Sequence, residues 1–276
     1  MRCGRFTLNL SHTNIMGVLN CTPDSFSDGG QYLDPSKALY HAESMLKAGA
    51  HILDVGAEST RPNAQEVPAL EEIRRLTPVV KALCSLGVPI SIDTKKTAVM
   101  QAMLDLGVDM INDVHGLEDE GALELLARYP QVGICIMHMK GMPDTMQNQA
   151  HYGDVVQEVR DYLAERAHKA LCAGISQEQI CLDFGFGFGK TPEQNMALIR
   201  ALPEFLTLGY PMLLGVSRKS TIGYYLDGAT VDQRLIGSVT LASLGAFLGA
   251  RIVRVHDVKE THQALCLTHA LLHTPN

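Results

Sequence analysis

Short apolar runs of strand length alternate with longer amphipathic runs along almost the whole chain. The short runs are rich in Ile, Val, Leu and Met and are bounded by Gly, Pro or Asp, a pattern that is typical of buried strands. The longer runs repeat apolar residues at helical spacing, as Ala38, Ala42, Met45 and Leu46 do in the first of them. The predicted strands cover 15–20, 51–55, 89–93, 108–113, 132–137, 180–183, 211–216 and 251–255, and the predicted helices cover 35–50, 70–87, 97–107, 121–130, 153–174, 192–202, 232–250 and 258–272.

This alternation predicts an α/β fold with a parallel sheet. Each helix supports the crossover between two parallel strands, and several helices end in Gly or Ala-Gly, as helix C-termini commonly do. Eight strand–helix units in 276 residues predict a (β/α)8 TIM barrel with its active site at the C-terminal ends of the strands. An open, doubly wound sheet is the alternative. Because the sequence shows no linker, low-complexity run or repeat, we expect residues 1–276 to form a single domain.

Composition excludes several classes of protein. Hydrophobic residues make up 46% of the chain, which is ample for a core and argues against disorder. A net charge of −7, without a basic cluster containing aromatic residues, argues against binding to nucleic acid. The seven cysteines show no CxxC spacing, and no segment has the length of a signal peptide core or a membrane span. We therefore expect a cytoplasmic protein with reduced thiols.

Polar residues stand where several predicted strands end, although buried strands are otherwise apolar. Asp93 ends ISID, Asn112 lies in DMIND and Asp183 ends ICLD, while Lys219 follows the run MLLGV. Carboxylates and amides at a barrel mouth can bind the adjacent N–H donors of a planar heterocycle, and a lysine can donate to a ring carbonyl. Helix capping, or a salt bridge such as one between Asp93 and Lys95, is the alternative for any single residue. Their shared location at strand ends favours one common site.

An anion site is predicted at the end of the last strand. Arg254 and His256 alternate in RVHD, so both side chains can face one anion such as a phosphate. An ion pair of this strand end with Asp257 or Asp227 is the alternative. Asn20 begins the turn-forming segment NCTPDSFSDGG, and its amide oxygen is a suitable ligand for Mg²⁺, which also binds phosphates.

Three further loops border the predicted mouth. Ser217 and Arg218 precede Lys219 in SRKS and could hold a carboxylate, although an exposed basic turn has the same composition. The loops 21–34 and 56–68 are long and rich in Gly, Pro, Ser and Asp, which is typical of mobile lids on the catalytic face of a barrel.

The glycine-rich segment GFGFGKT (185–191) does not match a nucleotide-binding loop. A P-loop would require Gly where Phe184 stands, and a dinucleotide-binding fingerprint would require Gly where Lys190 stands. The segment is better interpreted as close packing around Asp183, with Phe188 available as an apolar wall. His138, between two methionines, is better interpreted as a packed residue at a strand end, and no His/Cys/Glu spacing predicts zinc.

Eight of these segments, in this order, resemble dihydropteroate synthase from about Ile15 to Leu265. They are NxTPDSFSDGG, DVGxESTRP, SIDT, INDV, MHMKG, LDxGFGFGK, GVSRKS and RVHDV. The resemblance implies a (β/α)8 barrel, usually a homodimer, that acts in folate biosynthesis. It implies condensation of 6-hydroxymethyl-7,8-dihydropterin diphosphate with p-aminobenzoate, which gives 7,8-dihydropteroate and pyrophosphate.

The resemblance also implies roles for individual residues. The pterin ring would be held by Asp93, Asn112, Asp183 and Lys219, beside Gly215 and between walls formed by Met137 and Phe188. The diphosphate would be held by Arg254, His256 and Asn20, with Asn20 contacting Mg²⁺. The aminobenzoate pocket and its loops would contain Phe26, Asp28, Thr60, Arg61, Pro62, Ser217 and Arg218. Asp93, Lys219, Arg254 and His256 would be the catalytic residues.

The sequence departs from the usual family pattern at three positions. Cys21 stands for Val, Asn63 for Gly and Phe184 for Pro. Asn tolerates positive φ better than most residues other than Gly, so Asn63 is compatible with the family's loop. None of the three is an expected ligand, but Phe184 is expected to alter packing behind the pterin.

The expected mechanism is departure of pyrophosphate before attack by the weakly nucleophilic aryl amine. Positive groups stabilise the leaving group, and the carboxylates of Asp93 and Asp183 favour the pterin cation. Two other functions remain open. A methyltetrahydrofolate-type methyltransferase would share the ring-binding residues but would not need TPDSF, ESTRP, SRK and the Arg254/His256 pair. An inactive pterin-binding paralogue would have lost a ligand residue, and the sequence shows no such loss.

Overall fold

The structure is a computed structural model, and it describes residues 1–21, 34–58, 66–141 and 150–273. Eight parallel strands, each hydrogen-bonded to its neighbours, form one sheet, and two short strands pair separately near the N-terminus. In chain order the strands are β1 Arg2–Cys3, β2 Phe6–Thr7, β3 Asn14–Asn20, β4 Ile52–Gly56, β5 Ile90–Asp93, β6 Met110–Asp113, β7 Gly133–Met137, β8 Ile180–Asp183, β9 Leu213–Leu214 and β10 Ile252–Val255.

The sheet closes into a barrel. Its strand order is β8-β7-β6-β5-β4-β3-β10-β9, and a parallel bridge between Leu182 and Met212 joins the two ends. The Leu182 N–H donates to the Pro211 carbonyl at 2.9 Å across the same junction. The (β/α)8 barrel predicted from the sequence is therefore confirmed, and an open doubly wound sheet is excluded because such a sheet would have two free edges.

Helices surround the barrel at the positions where the amphipathic runs predict them. α1 (Pro35–Lys47) begins after Asp34, whose carboxylate accepts from the Ser36 N–H, and α6 (Pro192–Arg200) begins after Thr191, which forms a capping box with Gln194. Within the described residues, no helix is both long and apolar enough to cross a bilayer. The helices are α1 Pro35–Lys47, α2 Ala69–Leu83, α3 Thr97–Leu104, α4 Ala122–Ala127, α5 Val155–Cys172, α6 Pro192–Arg200, α7 Leu202–Leu206, α8 Ser220–Tyr225, α9 Leu235–Phe247 and α10 Val258–His273.

Two features of the barrel and its surrounding helices differ from the sequence prediction. The seventh barrel strand is β9, with two residues instead of the six predicted for 211–216, because the chain leaves the ladder at Gly215. The short helices α7 and α8 were not predicted, and α8 follows directly from the polar segment that ends at Lys219.

The strand register places the polar strand ends at one level. Asn20 of β3 is paired with Gly56 of β4, Gly56 with Asp93 of β5, and Asp93 with Asn112 of β6. Because the strands are parallel, these residues all lie at the C-terminal end of the barrel. This end is called the mouth below.

The opposite end of the barrel carries a hairpin that the sequence analysis did not predict. Strands β1 and β2 pair antiparallel, and the Cys3 side chain packs with Met16, Met110 and Ile252 from the barrel. Arg5 donates from Nε and Nη2 to the two carboxylate oxygens of the buried Asp109 at 3.0 and 2.8 Å. The hairpin therefore covers the N-terminal end of the barrel and satisfies a buried charge there.

Candidate active site

One arginine and two carboxylates form the centre of the mouth. Arg254 of β10 donates from Nε to Asp54 Oδ2 at 2.5 Å and from Nη2 to Asp93 Oδ2 at 2.7 Å. The Asn112 amide donates to the same Asp54 oxygen at 3.2 Å. Side chains from β4, β5, β6 and β10 therefore meet in one hydrogen-bonded group.

Burial and charge oppose each other within this group. Burial raises the pKa of Asp93, whereas the neighbouring Arg254 guanidinium lowers it. Burial lowers the pKa of Arg254, and the carboxylates of Asp54 and Asp93 more than reverse this effect. Arg254 therefore stays positively charged. The second oxygen of Asp54, Oδ1, is buried and has no hydrogen-bond partner within the described part of the chain.

Asp183 and Lys219 lie on the neighbouring side of the mouth. Asp183 Oδ1 accepts from the Gly185 N–H at 2.7 Å, and Lys219 Nζ donates to the Phe186 carbonyl. Burial lowers the pKa of Lys219 to about 7, although the Asp183 carboxylate opposes that shift. The Lys219 ammonium is therefore poised to lose or keep its proton near neutral pH.

Apolar residues and a glycine shape the space between these polar groups. The side chains of Met137 and Phe188 are buried in one small cluster with Val114 and Met139. Lys219 Nζ lies 4.2 Å from the centre of the Phe188 ring. A side chain at Gly215 would begin 3.8 Å from Arg254 Cβ and 3.9 Å from Asp183 Oδ2, so the glycine keeps this part of the mouth open.

Ser217 and His256 form a second polar group beside Arg254. The Ser217 hydroxyl accepts from the His256 backbone N–H at 3.2 Å and lies 3.0 Å from His256 Nδ1. Arg218 has a φ of 60°, which is costly for a residue other than glycine. Its guanidinium makes a two-point contact with Asp257, with Nε 3.0 Å from Oδ2. Asp257, which the sequence analysis considered as an ion-pair partner for the end of the last strand, is therefore bound by Arg218 and not by Arg254.

Asn20 is the expected contact for a cation. It is half-buried at the C-terminal end of β3, and its amide makes no hydrogen bond within the described part of the chain. Among the described residues, no group of three His, Cys, Asp or Glu side chains is arranged to hold a metal ion. A single amide oxygen fits Mg²⁺ only when water and phosphate oxygens supply the remaining ligands.

Some predicted residues lie outside the described part of the chain. These are Phe26, Asp28, Thr60, Arg61 and Pro62, together with Asn63. The alternative of a salt bridge between Asp93 and Lys95 is wrong, because Lys95 pairs with Glu66 at 3.3 Å. His138 is packed, as expected, and burial together with Lys190 lowers its pKa to about 2.

Two residues at the mouth were given no role by the sequence analysis. Asp54 follows the same strand-end pattern as Asp93, so the pattern itself was the available signal. Lys190 is only 2% exposed, and its Nζ donates to the carbonyls of Gly185 and Phe188 at 2.9 Å each. The same Nζ lies 3.0 Å from His138 Nδ1. Lys190 therefore stabilises the loop that carries Phe188. No local sequence pattern indicates this role.

Phe184 lies away from the polar groups of the mouth. Its ring is fully buried and packs against Phe205 of α7, with 5.5 Å between the ring centres. The substitution of Phe for the family's usual Pro therefore adds to the core between the barrel and a helix.

Comparison with known proteins agrees with this geometry. A family model described as pterin binding enzyme matches residues 16–256. A dihydropteroate synthase from Neisseria meningitidis serogroup B is 51% identical over 275 residues, which cover 98% of this chain and 96% of that protein.

Two solved structures share the whole architecture. Dihydropteroate synthase from Yersinia pestis, solved as a sulfonamide drug complex, has a TM-score of 0.93 and 43% identity, and the match covers 99% of this chain and 98% of that one. The enzyme from Burkholderia cenocepacia, complexed with 7,8-dihydropteroate, has a TM-score of 0.90 and 44% identity over 99% of this chain and 96% of that one. The chain therefore belongs to the pterin binding enzymes and, within them, to the dihydropteroate synthases.

Proposed function

We propose that this protein condenses 6-hydroxymethyl-7,8-dihydropterin diphosphate with p-aminobenzoate to give 7,8-dihydropteroate and pyrophosphate. The observation that carries the proposal is the convergence of Asp93, Asn112, Asp183, Lys219 and Arg254 at one barrel mouth. The Burkholderia cenocepacia relative binds 7,8-dihydropteroate, the product of this reaction.

The pterin ring has a matching set of groups in the mouth. The carboxylates of Asp93 and Asp183 accept from the ring's N–H donors, while Asn112 can both donate and accept. Lys219 donates to the ring carbonyl when it is protonated. Met137 and Phe188 supply apolar surfaces for the flat faces of the ring, and Gly215 leaves room for it.

The diphosphate would lie between Arg254, His256 and Asn20. A guanidinium binds two phosphate oxygens at once, and His256 adds a further donor beside Ser217. Asn20 would hold Mg²⁺ through its amide oxygen, with the substrate's phosphates as further ligands. When bound, Mg²⁺ would neutralise part of the diphosphate charge.

The aminobenzoate would lie on the outer side of the pterin. Ser217 and Arg218 border that side of the mouth, and Phe26, Asp28, Thr60, Arg61 and Pro62 are assigned to the pocket by their family motifs. Arg218 is already paired with a carboxylate, that of Asp257, so its guanidinium is oriented before any substrate carboxylate arrives.

We infer that the carbon–oxygen bond to the diphosphate breaks before the amine attacks. The positive charge of Arg254 stabilises the departing pyrophosphate, and the electron-rich dihydropterin carries the resulting cation. The carboxylates of Asp93 and Asp183 favour that cation. The aryl amine then forms the new C–N bond and loses its proton to water, so the reaction needs neither a covalent enzyme intermediate nor a dedicated base.

Pyrophosphate release provides the test of this function. The protein is mixed with pterin diphosphate and Mg²⁺, and pyrophosphate is measured with and without p-aminobenzoate. Release that depends on p-aminobenzoate, with dihydropteroate formed in equal amount, supports the proposal. Pterin binding without release would instead show an inactive pterin-binding protein. Methyl transfer from methyltetrahydrofolate without pyrophosphate release would show the methyltransferase alternative.

We also propose that residues 1–276 act as one domain, that two copies form a homodimer, and that the protein is cytoplasmic. The single-domain proposal is supported by relatives that match 98–99% of the chain. The homodimer is supported by an exposed apolar surface on α8, α9 and α10, and the cytoplasmic location by seven cysteines that are all present as free thiols.

A further inference from the structure

A cavity of about 230 Å³ lies at the end of the barrel opposite the mouth. It is bordered by the residues before β3, the beginning of β4, the end of α9 and the face of α10. Arg251 precedes β10 at this end, whereas Arg254 lies on the same strand and faces the mouth. The cavity is therefore separate from the site described above. Its lining includes His12, His51, Arg251, His262, His269 and His273.

The imidazole rings of this cavity lie close to one another. The ring centres of His12 and His51 are 5.7 Å apart, and those of His12 and His269 are 6.4 Å apart. His269 and His273 stack with 4.1 Å between their centres. The pKa of His51 is lowered by burial and then by the nearby His12 and His262. The rings of His12 and His262 therefore make protonation of His51 less favourable.

Two donors in the cavity have no acceptor among the residues that the structure describes. His51 Nδ1 accepts from the Ile15 backbone N–H at 3.0 Å, so the neutral ring carries its proton on Nε2. That Nε2–H has no hydrogen-bond acceptor among the described residues. The Arg251 guanidinium likewise has no hydrogen-bond or ion-pair partner in the described part of the chain, although its backbone carbonyl accepts from Asn14.

The described lining contains no carboxylate. The titratable and charged groups that face the cavity are the five imidazoles, the Arg251 guanidinium and the Cys266 thiol. By contrast, Arg5 is paired with Asp109 and Arg254 with Asp54. The cavity therefore combines several donors and a positive charge without any negative group of its own.

We propose that this cavity is a binding site for a phosphate group, either inorganic phosphate or a phosphate monoester. The Arg251 guanidinium and the His51 Nε2–H would donate to its oxygens, and His12 would add a donor next to His51. The apolar side chains of Ile15, Leu265 and Leu272 line the remaining space and could contact the organic part of a monoester. A carboxylate would use fewer of the available donors than the three terminal oxygens of a phosphate.

Histidine NMR tests the proposal and identifies the site that is occupied. The protein is labelled with ¹³C-histidine, signals are assigned by single His→Asn variants, and inorganic phosphate and phenyl phosphate are titrated separately. We expect the NMR signals of His12 and His51 to shift in a saturable way, with a Kd of about 1 mM or lower. The signals of His256 report any binding of phosphate at the mouth. Tighter binding of phenyl phosphate would identify a monoester as the ligand, and equal binding would identify inorganic phosphate.

A matched pair of variants distinguishes a built site from general charge attraction. Arg251→Gln should weaken phosphate binding by at least about tenfold, which is the scale of one lost charge-assisted contact. Arg200→Gln makes the same change of charge at an exposed position of α6, and it should not weaken binding. Arg251→Gln should leave pyrophosphate release unchanged.

The proposal fails if the His12 and His51 signals do not move, or if they move without saturation. It also fails if Arg251→Gln and Arg200→Gln bind phosphate equally well. Neither result would bear on the reaction at the mouth, because pyrophosphate release is measured separately.

Discussion

At the scale of single residues, Arg254 is the group on which the proposed reaction depends most. Arg254→Ala removes the positioned cation beside the departing pyrophosphate, and it also leaves Asp54 and Asp93 without their counter-charge. We expect kcat for pyrophosphate release to fall by at least about 10²-fold, the usual loss for one donor directed at a developing anion.

Arg251→Ala is the matched control for this prediction, because Arg251 lies three positions earlier at the other end of the same strand region. It should keep the activity of the unchanged protein. If Arg254→Ala lowers kcat by less than about threefold, Arg254 does not stabilise the departing pyrophosphate, since that loss is well below the range for such donors.

Lys219 predicts a pH dependence. Its pKa is lowered by burial to about 7, so the fraction that carries a proton decreases as the pH rises through neutrality. Because the ammonium donates to the pterin carbonyl more strongly than the neutral amine does, kcat/KM for the pterin substrate should fall on the alkaline side of about pH 7.

Lys219→Arg tests this assignment, because arginine stays charged throughout that range. Whatever activity the variant retains should lose the alkaline decrease. If the unchanged protein and the variant have the same profile between about pH 6 and pH 9, another group is responsible for the pH dependence.

The positions of the site residues could be predicted from the sequence, whereas their partners could not. A charged or amide side chain at the end of an apolar strand is unusual enough to indicate a site, which is how Asp93, Asn112 and Asp183 were placed at the mouth. The contact between Arg254 and Asp54 joins residues 200 positions apart, and it depends on barrel closure and strand register. Asp257 was considered as a partner for Arg254 because it is near in sequence, but in space it faces Arg218.

At the scale of structural elements, the loop after β8 depends on one buried lysine side chain. The Lys190 amine donates to the carbonyls of Gly185 and Phe188 and contacts His138, so Lys190→Met leaves several buried acceptors unpaired. We expect a loss of about 1–3 kcal/mol in the free energy of unfolding, measured by urea denaturation. We also expect the Kd of the pterin substrate to rise about tenfold in calorimetry, because Phe188 and Asp183 lose their support.

Lys169→Met provides a control for the loss of a lysine charge. Lys169 forms an exposed pair with Glu165 on α5, and such pairs contribute little to stability. The variant should therefore resemble the unchanged protein in both measurements. Unchanged stability and pterin affinity in Lys190→Met would show that the loop holds its shape without this lysine.

The elements themselves were mostly predictable, and the exceptions have physical causes. Long periodic runs such as α1 and α5 were found because several turns repeat the same apolar face. Strands β1 and β2 contain two residues each, which is too short for any alternation to be visible. Their position under the barrel is determined by packing against Met16 and Met110 and by the pair between Arg5 and Asp109.

At the scale of the whole molecule, the exposed apolar residues are concentrated on one side. Many large exposed hydrophobic side chains lie on α8, α9, α10 or the segment between α8 and α9. They are Tyr224, Tyr225, Leu226, Val231, Ile236, Leu244, Phe247, Leu267, Leu271 and Leu272. Exposed apolar side chains grouped on neighbouring helices are typical of an interface between subunits. We therefore place the interface of the proposed homodimer on these helices.

Ile236→Asp should disrupt that dimer. Ile236 is 78% exposed on α9, and a carboxylate buried there on association would lack a partner. Sedimentation velocity should show the unchanged protein as a dimer and the variant as a monomer. Leu70→Asp is the control, because Leu70 is 83% exposed on α2 outside this surface, and it should leave the dimer intact. A dimeric Ile236→Asp protein would place the interface elsewhere.

The sharing of Arg254 between Asp54 and Asp93 affects how ligands compete for the mouth. A molecule that has only a pterin ring competes with the Arg254 guanidinium for the Asp93 carboxylate. It brings no negative charge that could replace this carboxylate beside Arg254. A molecule that carries both the ring and a diphosphate binds the Asp93 carboxylate through its ring and supplies phosphate oxygens to Arg254 in place of that carboxylate. Tight inhibitors of this mouth should therefore join a ring to an anionic tail, and the joined molecule should bind more tightly than the separate affinities of its two halves suggest.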